Sequence, residues 1–234
     1  MVLGLVGPTL KFTLGYFGTR NVGGADLYPL FWKAVYILVR VCGLKVIAST
    51  SDKSAPNMKM VNLHGESGST KNWFAAEERQ LFFISDVPQL LKTLRNNLHS
   101  SSSRATATKY FWNNGTHLLW DHVERIFKED SKVELRKTKL QPAHVYLTPH
   151  SKMNVLLAAQ VMISSVANVM MASGDESVKG TAKFLGIVDR LFDCLNTRSE
   201  AEAVRKKKPD LMPYESTEDP RLKFIEEEVT TYLD

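Results

Sequence analysis

The sequence has 234 residues, of which 44% are hydrophobic and 24% are charged, and it carries a net charge of +5 with a pI of about 9.1. This composition is typical of a soluble chain with one large or two small domains, and its mildly basic balance suits an acidic partner such as nucleic acid without requiring one. The two cysteines, Cys42 and Cys194, lack partners at metal-ligand spacing, which argues against a disulfide scaffold or zinc finger and favours a reducing compartment. We expect no membrane-spanning run of about 18 apolar residues.

The first 100 residues predict alternating strands and helices. Two short apolar runs separated by Gly7-Pro8 predict a hairpin, and the later runs alternate between strand and helix patterns. In chain order these are a hairpin over 3–17, a helix over 28–43, a strand over 44–50, a helix over 54–65, a strand over 80–86 and a helix over 87–98. A hairpin followed by strand–helix crossovers predicts a mixed sheet with helices on its faces, so the fold class is α/β.

The composition changes after Leu98, where a polar loop over 99–109 marks a boundary. The pattern beyond it is helical, with no strand of comparable clarity. Helices are predicted over 116–130, 151–172, 181–196 and 221–234, with a charged, proline-containing linker over 198–220. We therefore predict two domains, a sheet-containing core over 1–100 and a mainly helical domain over 101–234.

Two aspartates stand at the ends of predicted strands. Asp52 comes shortly after the strand over 44–50, and Asp86 ends the strand over 80–86. A carboxylate at the carboxyl end of a central strand suits a divalent cation, because Mg²⁺ prefers oxygen ligands. Aspartate also caps helices well, and a helix follows each of these residues. The spacing alone leaves both interpretations open.

Four stretches of the chain resemble, in the same order, the sequence blocks of P-element-type DNA transposases, the group that includes the THAP-domain-containing transposase of vertebrates. The four stretches are GYFGTRNVGGADLYPLFWKAVYILVRVCGLKVIASTSDKSAPN from Gly15, FISDVPQLLKTLRNNL from Phe83, KMNVLLAAQVMISSVANVMM from Lys152 and TAKFLGIVDRLFDCLNTR from Thr181. The resemblance covers nearly the whole chain. It implies an RNase H-like core, incomplete here because its first strand has no counterpart, followed by a helical GTP-binding insertion domain.

The resemblance implies a catalytic and metal-binding role for Asp52. In the family, the matching aspartate is the second acid of an Asp-Asp-Glu site that holds Mg²⁺ for DNA cleavage and strand transfer. The first acid is expected upstream of this chain and the third beyond the insertion, while the run Glu226–Glu228 resembles a solvated helix face. One carboxylate of three would hold the metal ions poorly, so we predict that this chain alone does not cut or join DNA.

The resemblance also places a DNA contact on the helix over 87–98. Lys92 and Arg95 could face a DNA backbone there, because phosphate contacts come mostly from Lys and Arg. An ordinary solvated basic face is the alternative. Asp86 lies outside the acid triad and is expected to hold the start of this helix. Gln89 replaces a histidine of the family, and an amide cannot titrate near neutral pH.

Guanine-nucleotide binding without hydrolysis is the third implication of the resemblance, and the sequence contains no P-loop motif. The matching contact positions are Lys139, Asn154, Val155, Phe192, Asp193 and Asn196. A carboxylate can accept the N–H donors of guanine, an amide can donate and accept, and an aromatic ring can stack. The sequence departs from the family pattern at two positions. Asn154 stands where the family often has a basic residue, and Ile163 stands where the family has a serine. Without the resemblance, Asp193 and Asn196 would be interpreted as helix-capping groups.

Three functional hypotheses follow. The first is a fragment or decayed copy of a P-element-type DNA transposase, a nuclear protein that acts on transposon ends with Mg²⁺ and GTP. The second is a domesticated, non-catalytic protein that retains DNA, GTP or protein binding, and the third is a different RNase H-like nuclease. The basic run over 205–209 fits a nuclear localisation signal, a phosphate contact or a solvated linker. A homo-oligomer is compatible with each hypothesis.

Overall fold

The computed structural model describes residues 1–4, 10–16, 22–65, 73–76, 79–197 and 199–233. The chain divides into two compact units, Met1–Asp86 and Val87–Asp234. This division precedes the boundary predicted near residue 100, because helix α3 (Val87–His99) buries Leu91, Arg95 and Leu98 within the second unit.

The first unit contains the mixed sheet that the sequence predicts. Its strand order is β3 (Ala48–Ser51), β5 (Arg79–Ser85), β4 (Trp73–Ala76), with β3 parallel and β4 antiparallel to β5. The sequence pattern did not predict β4. The N-terminal hairpin consists of β1 (Val2–Leu3) paired antiparallel with β2 (Lys11–Phe12). Its predicted turn at Gly7-Pro8 lies outside the described residues.

Two helices pack on β5 in the first unit. Helix α1 (Gly24–Tyr36) continues as a π-helical turn over Ile37–Val41, and helix α2 (Ala55–Asn62) follows β3. The predicted helix end at Gly43 is confirmed by its φ of 64°, a conformation that favours glycine. Gly24 allows the two helices to approach closely, because a Cβ atom there would lie 2.6 Å from the Cβ of Lys59.

The second unit is mainly helical, as predicted. Its α-helices are α3, α4 (Trp120–Asp130), α5 (Pro142–Val145), α6 (Pro149–Met153), α7 (Val155–Val161), α8 (Ser164–Ala172), α9 (Lys179–Leu195), α10 (Glu200–Lys206), α11 (Pro220–Lys223) and α12 (Thr230–Leu233). Short 3₁₀ turns cover Glu176–Val178 and Pro209–Leu211, and a π-helical turn covers Phe224–Val229.

Apolar side chains at helical spacing build the core of this unit. Trp120, Val123 and Ile126 of α4 are each at most 1% exposed, and they pack with Leu185 of α9 in one cluster. The indole N–H of Trp120 donates to the carbonyl oxygen of Val145 at 3.1 Å. This bond pairs the single polar atom of the Trp120 side chain, so burying the indole leaves no N–H without a hydrogen-bond partner there.

The stretch Val155–Ala172 corrects the expectation that no segment resembles a membrane span. Within the described residues it is long and apolar enough to cross a membrane by length and composition, and a third of it (33%) is buried. The structure breaks it into α7 and α8 at Met162 and Ile163. Val161 and Met162 at this break, together with Val166, lie in the core cluster. The part of the stretch around this break therefore belongs to the core of the second unit.

The structure also corrects the start of the helix predicted over 116–130. Thr116–Leu118 form strand β7, which pairs antiparallel with β6 (Phe111–Asn113), and α4 begins only at Trp120. Asn114 and Gly115 join the strands with positive φ values of 45° and 79°. An Asn-Gly pair with two positive φ angles is typical of a tight two-residue hairpin turn.

The predicted linker over 198–220 is folded over most of its described length. It contains α10 and the 3₁₀ turn at Pro209–Leu211, and Arg221 holds the segment that follows. The guanidinium of Arg221 donates to the carbonyl oxygens of Asp210, Met212 and Pro213 and to the carboxylate of Asp219. It also lies 4.0 Å from the ring centroid of Tyr214. These contacts order a stretch that has few apolar residues of its own.

Candidate nucleotide site and strand-end acids

Asp52 lies on the exposed loop between β3 and α2. Its Oδ1 atom accepts hydrogen bonds from the backbone N–H of Ser54 at 2.9 Å and from the side-chain amide of Asn57 at 2.7 Å. The carboxylate therefore holds the turn into α2, and these bonds account for the five-residue spacing of Asp52 and Asn57.

The donor set around Asp52 does not fit a pair of Mg²⁺ ions. No cluster of three His, Cys, Asp or Glu side chains is positioned to hold a metal within the part of the chain that the structure describes. Two-metal phosphoryl transfer needs several acids at one point. Among the residues that the structure describes, those around Asp52 supply too few oxygen ligands for that chemistry.

Asp86 lies at the same edge of the sheet as Asp52. Ser51 and Ser85, the residues that precede the two acids, are register partners in the parallel pair β3–β5. The N–H of Asp86 donates to the carbonyl oxygen of Ser51 at 2.8 Å. The structure thus places both strand-end aspartates together, as expected from the parallel pairing.

Arg95 corrects the DNA-facing pair predicted on α3. It is 0% exposed, and its Nη2 donates to the carbonyl oxygens of Ser151 at 2.8 Å and Lys152 at 3.4 Å. Burial lowers the pKa of Arg95 from its ordinary value. With its charged group directed into the protein, Arg95 has no surface to offer to a DNA backbone. Lys92, one turn earlier, is half-buried and stays a predicted contact.

The predicted contacts Asn154 and Val155 lie at the start of α7. Asn154 is the N-cap residue, and its Oδ1 accepts the N–H of Leu157 at 3.1 Å. The preceding carbonyl of Lys152 also accepts from the side-chain amide of Asn96 at 3.1 Å. Bonds from α3 therefore fix the backbone that leads into this helix start.

A cavity of about 390 Å³ contains Lys139. Its lining residues are Arg136, Thr138, Lys139, Leu140, Gln141, His144, Leu157 and Gln160. His144 is buried, and its Nδ1 accepts the N–H of Gln141 at 3.0 Å, which leaves Nε2–H to donate to Oε1 of Gln160 at 2.8 Å. Two exposed cations, Arg136 and Lys139, thus adjoin a fixed polar wall, an arrangement that suits an anion.

Phe192, Asp193 and Asn196 lie at the carboxyl end of α9. Phe192 packs partly buried against the core, and Asn196 is the C-cap residue of the helix. Asp193 is 8% exposed, and its Oδ2 lies 2.6 Å from Nζ of Lys208. The carboxylate that the resemblance assigns to guanine is therefore paired with a cation of the chain itself.

Asp189 and Lys208 belong to this cluster, although the sequence did not single them out. Oδ2 of Asp189 accepts from the N–H of Ser164 at 2.9 Å and from its hydroxyl at 2.5 Å, and Oδ1 lies 3.2 Å from Lys208. The four-residue spacing of Asp189 and Asp193 places them on one face of α9 and was a usable signal. No sequence signal pointed to Lys208, because it stands in a run of four basic residues and nothing in the sequence distinguishes it from its neighbours.

Comparison with known families and structures adds to this geometry. Residues 89–209, just over half of the chain, match the family model described as TNP-like, GTP-binding insertion domain. No curated protein matches the sequence. The fold resembles the Drosophila P element transposase strand transfer complex with a TM-score of 0.71 at 21% identity. That match covers 92% of this chain but 46% of the other, so the chain spans less than half of that relative.

Proposed function

Since the chain belongs to the P-element-type transposase family with a TNP-like, GTP-binding insertion domain, we propose that its second unit binds a guanine nucleotide as a structural cofactor. The family match over residues 89–209 is the observation that carries this proposal, because it coincides with the helical unit. The bound nucleotide would supply a triphosphate and a guanine ring for the surrounding side chains to hold.

Lys139 and Arg136 are the residues best suited to the triphosphate. Both cations line the cavity of about 390 Å³, and their charges would offset those of the phosphate oxygens. The cavity also includes Leu157, in the first turn of α7 after the predicted contacts Asn154 and Val155. Lys139 is therefore expected to contribute through its charge, whereas Asn154 is engaged in capping α7.

Phe192, Asp193 and Asn196 are proposed to face the guanine base. Asp193 can accept the two adjacent N–H donors of guanine only with an oxygen that Lys208 leaves available, or after Lys208 moves. Adenine lacks that pair of donors, so this carboxylate would favour guanine over adenine. Phe192 offers a partly buried ring, and the amide of Asn196 can donate and accept.

Thermal unfolding of the full chain tests this function. A ligand that binds the folded state alone raises the unfolding midpoint in proportion to RT ln(1 + [L]/Kd). We expect GTP to raise the midpoint more than equal concentrations of ATP or inorganic triphosphate. Lys139→Ala should reduce the GTP shift, whereas Lys128→Ala, an exposed lysine of α4 outside this cavity, should leave it unchanged. No shift with GTP would refute the proposal.

DNA is the second partner we propose, and transposon ends are the expected substrate of a complete transposase. Lys92 stays a candidate contact to the phosphate backbone. The basic run over 205–208 would suit entry into the nucleus, where such a substrate lies. We propose that the chain by itself does not cleave DNA, because Asp52 lacks the companion acids within the described residues. Nicking of DNA by the purified chain with Mg²⁺, abolished in Asp52→Ala, would contradict this.

Two origins are compatible with these proposals. We propose that the chain is a fragment or decayed copy of a transposase, or a domesticated protein that has kept binding without catalysis. The full-length transcript separates the two, since an upstream strand ending in Asp and a downstream helix with Glu would complete the acid triad around Asp52.

A further inference from the structure

The β6–β7 hairpin presents opposite faces to the core and to solvent. Phe111 makes an edge-on contact with Phe184 of α9 at a centroid distance of 6.2 Å, and Leu118 is 3% exposed. On the other face, Tyr110 is 66% exposed and Trp112 is 59% exposed. Two large aromatic side chains exposed side by side on a folded element are typical of an interaction surface.

Three rings share this outer face, which we call the aromatic face: Tyr110, Trp112 and His117. Trp112 and His117 are register partners across the hairpin, and Tyr110 precedes Trp112 by two residues, so all three side chains point the same way. The rings of Tyr110 and His117 are 5.0 Å apart, and Oη of Tyr110 lies 3.3 Å from Nε2 of His117. The face is therefore continuous from one strand to the other.

The hairpin that carries the aromatic face is firmly held. The side-chain amide of Asn113 donates to the carbonyl oxygen of Tyr232 at 2.7 Å. Gly180 of α9 lies so close that a Cβ atom there would be 2.5 Å from Cγ2 of Thr116. A platform that is already ordered loses little conformational entropy on binding.

One lysine adjoins the aromatic face, and a second lies on α9, the helix that packs against the inner side of the hairpin. Lys109 directly precedes Tyr110, and its Nζ bonds to the neutral amide oxygen of Asn97 at 2.6 Å. Lys183 lies 5.6 Å from the ring centroid of Tyr232, the residue that anchors Asn113. Within the described part of the chain, neither lysine forms an ion pair. Both charges therefore remain available to a polyanion.

We propose that the aromatic face binds single-stranded DNA, with unpaired bases stacked on Trp112 and Tyr110 and a neighbouring phosphate near Lys109. Exposed rings beside cations are the chemistry of single-strand recognition, because every base has a flat face that can stack. Duplex DNA would use Lys109 alone, since its bases are already stacked. This inference rests on the proposed DNA partner and is independent of nucleotide binding.

Fluorescence polarisation of labelled oligo-dT with the full chain tests the proposal. We expect Trp112→Ala and Tyr110→Ala each to weaken binding by about ten-fold, and Trp112→Phe to retain most of it. Tyr36→Ala is the matched control, because Tyr36 of α1 is 63% exposed but lies outside the hairpin. Parallel titrations with oligo-U and with duplex DNA test whether the chain prefers RNA or binds only the phosphate backbone. The GTP-induced shift of the unfolding midpoint tests the nucleotide site separately.

Three results would overturn the proposal. The first is the absence of oligo-dT binding, or a preference for oligo-U or duplex. The second is unchanged oligo-dT affinity in a folded Trp112→Ala variant. The third is that the Trp112→Ala variant no longer self-associates in light scattering but still binds DNA. That result would identify the aromatic face as a protein contact. If the variants unfold, oligonucleotides that contain iodo-deoxyuridine can be photocrosslinked to the unmodified chain instead. We expect crosslinks at Tyr110 or Trp112, and crosslinks only at other residues would contradict the proposal.

Discussion

The ammonium group of Lys208 lies 2.6 Å from Oδ2 of Asp193 and 3.2 Å from Oδ1 of Asp189. The two carboxylates are one turn apart on α9, and both are buried. One cation thus partly compensates two buried acids, since burial still raises the pKa of Asp193, and it ties residue 208, just before the 3₁₀ turn, back to the helix. The same Asp193 carboxylate is proposed to accept guanine, so the stability of the fold and nucleotide recognition depend on one group.

Replacing Lys208 with Met is expected to destabilise the protein by about 2 kcal/mol, because two buried carboxylates lose their counter-charge. The side chain of Lys208 is 32% exposed, so we expect a smaller loss of stability than for a fully buried ion pair. Urea unfolding measures the change. Lys206→Met, which removes the pair of exposed Lys206 with half-buried Glu202, is the control and should cost less than about 1 kcal/mol. Equal losses in the two variants would contradict the compensating role of Lys208.

The contribution of Lys208 is expected to fade at alkaline pH. Burial alone would lower the pKa of Lys208, but Asp193 and Asp189 outweigh burial and raise it above its ordinary value. The stabilisation is therefore fully present below the unfolded-state pKa of about 10.4 and is lost as pH rises through the higher folded-state value. The midpoint difference between the unmodified chain and Lys208→Met should shrink above about pH 10.5. A constant difference across that range would argue against the ion pair.

Two glycines of α9 should respond oppositely to alanine. At Gly180 a new Cβ atom would lie 2.5 Å from Cγ2 and 2.9 Å from Cβ of Thr116, so Gly180→Ala should displace the hairpin and destabilise by about 1–3 kcal/mol. At Gly186 nothing lies within 4 Å, so Gly186→Ala should stabilise by roughly 0.5–1 kcal/mol through helix propensity. Chemical unfolding of both variants measures the two changes in the free energy of unfolding. Changes in the same direction at both positions would contradict this packing.

The two cysteines should differ sharply in reactivity. Cys42 is exposed, whereas Cys194 is 0% exposed and packs with Phe224 and Val229. Burial is the largest cause that raises the pKa of the Cys194 thiol, to about 11. Because the thiolate is the reactive form, brief iodoacetamide treatment near neutral pH should modify Cys42 and spare Cys194 until the protein unfolds. Peptide mass spectrometry measures this, and rapid labelling of native Cys194 would disprove the packing.

The sequence predicted those elements whose signal is local and apolar. Helices α3 and α9 form where the helical patterns predicted them, strand β5 forms where the apolar run predicted it, and the parallel pairing brought Asp52 and Asp86 to one edge of the sheet. The family resemblance drawn from four ordered blocks is likewise confirmed, since residues 89–209 match the model of the TNP-like, GTP-binding insertion domain and the fold resembles that of the P element transposase.

The elements that the sequence missed depend on distant contacts. The strands β6 and β7 have three residues each, too few to show an alternating pattern. The segment after α10 is ordered by Arg221, whose partners include the carbonyl oxygens of Asp210 and Met212. Arg95 has the spacing of a surface cation on α3, but the carbonyl oxygens that receive it lie 56 and 57 residues later. No local pattern could place these charges inside the protein.

Calorimetric titration of GTP into the full chain tests the central claim most directly. We predict saturable binding of about one GTP per chain, with ATP binding at least about ten-fold more weakly and with the preference reduced in Asp193→Asn. The absence of GTP binding to a chain that circular dichroism shows to be folded would contradict the claim. Equal affinities for GTP and ATP would leave a phosphate site at Lys139 and remove guanine recognition by Asp193.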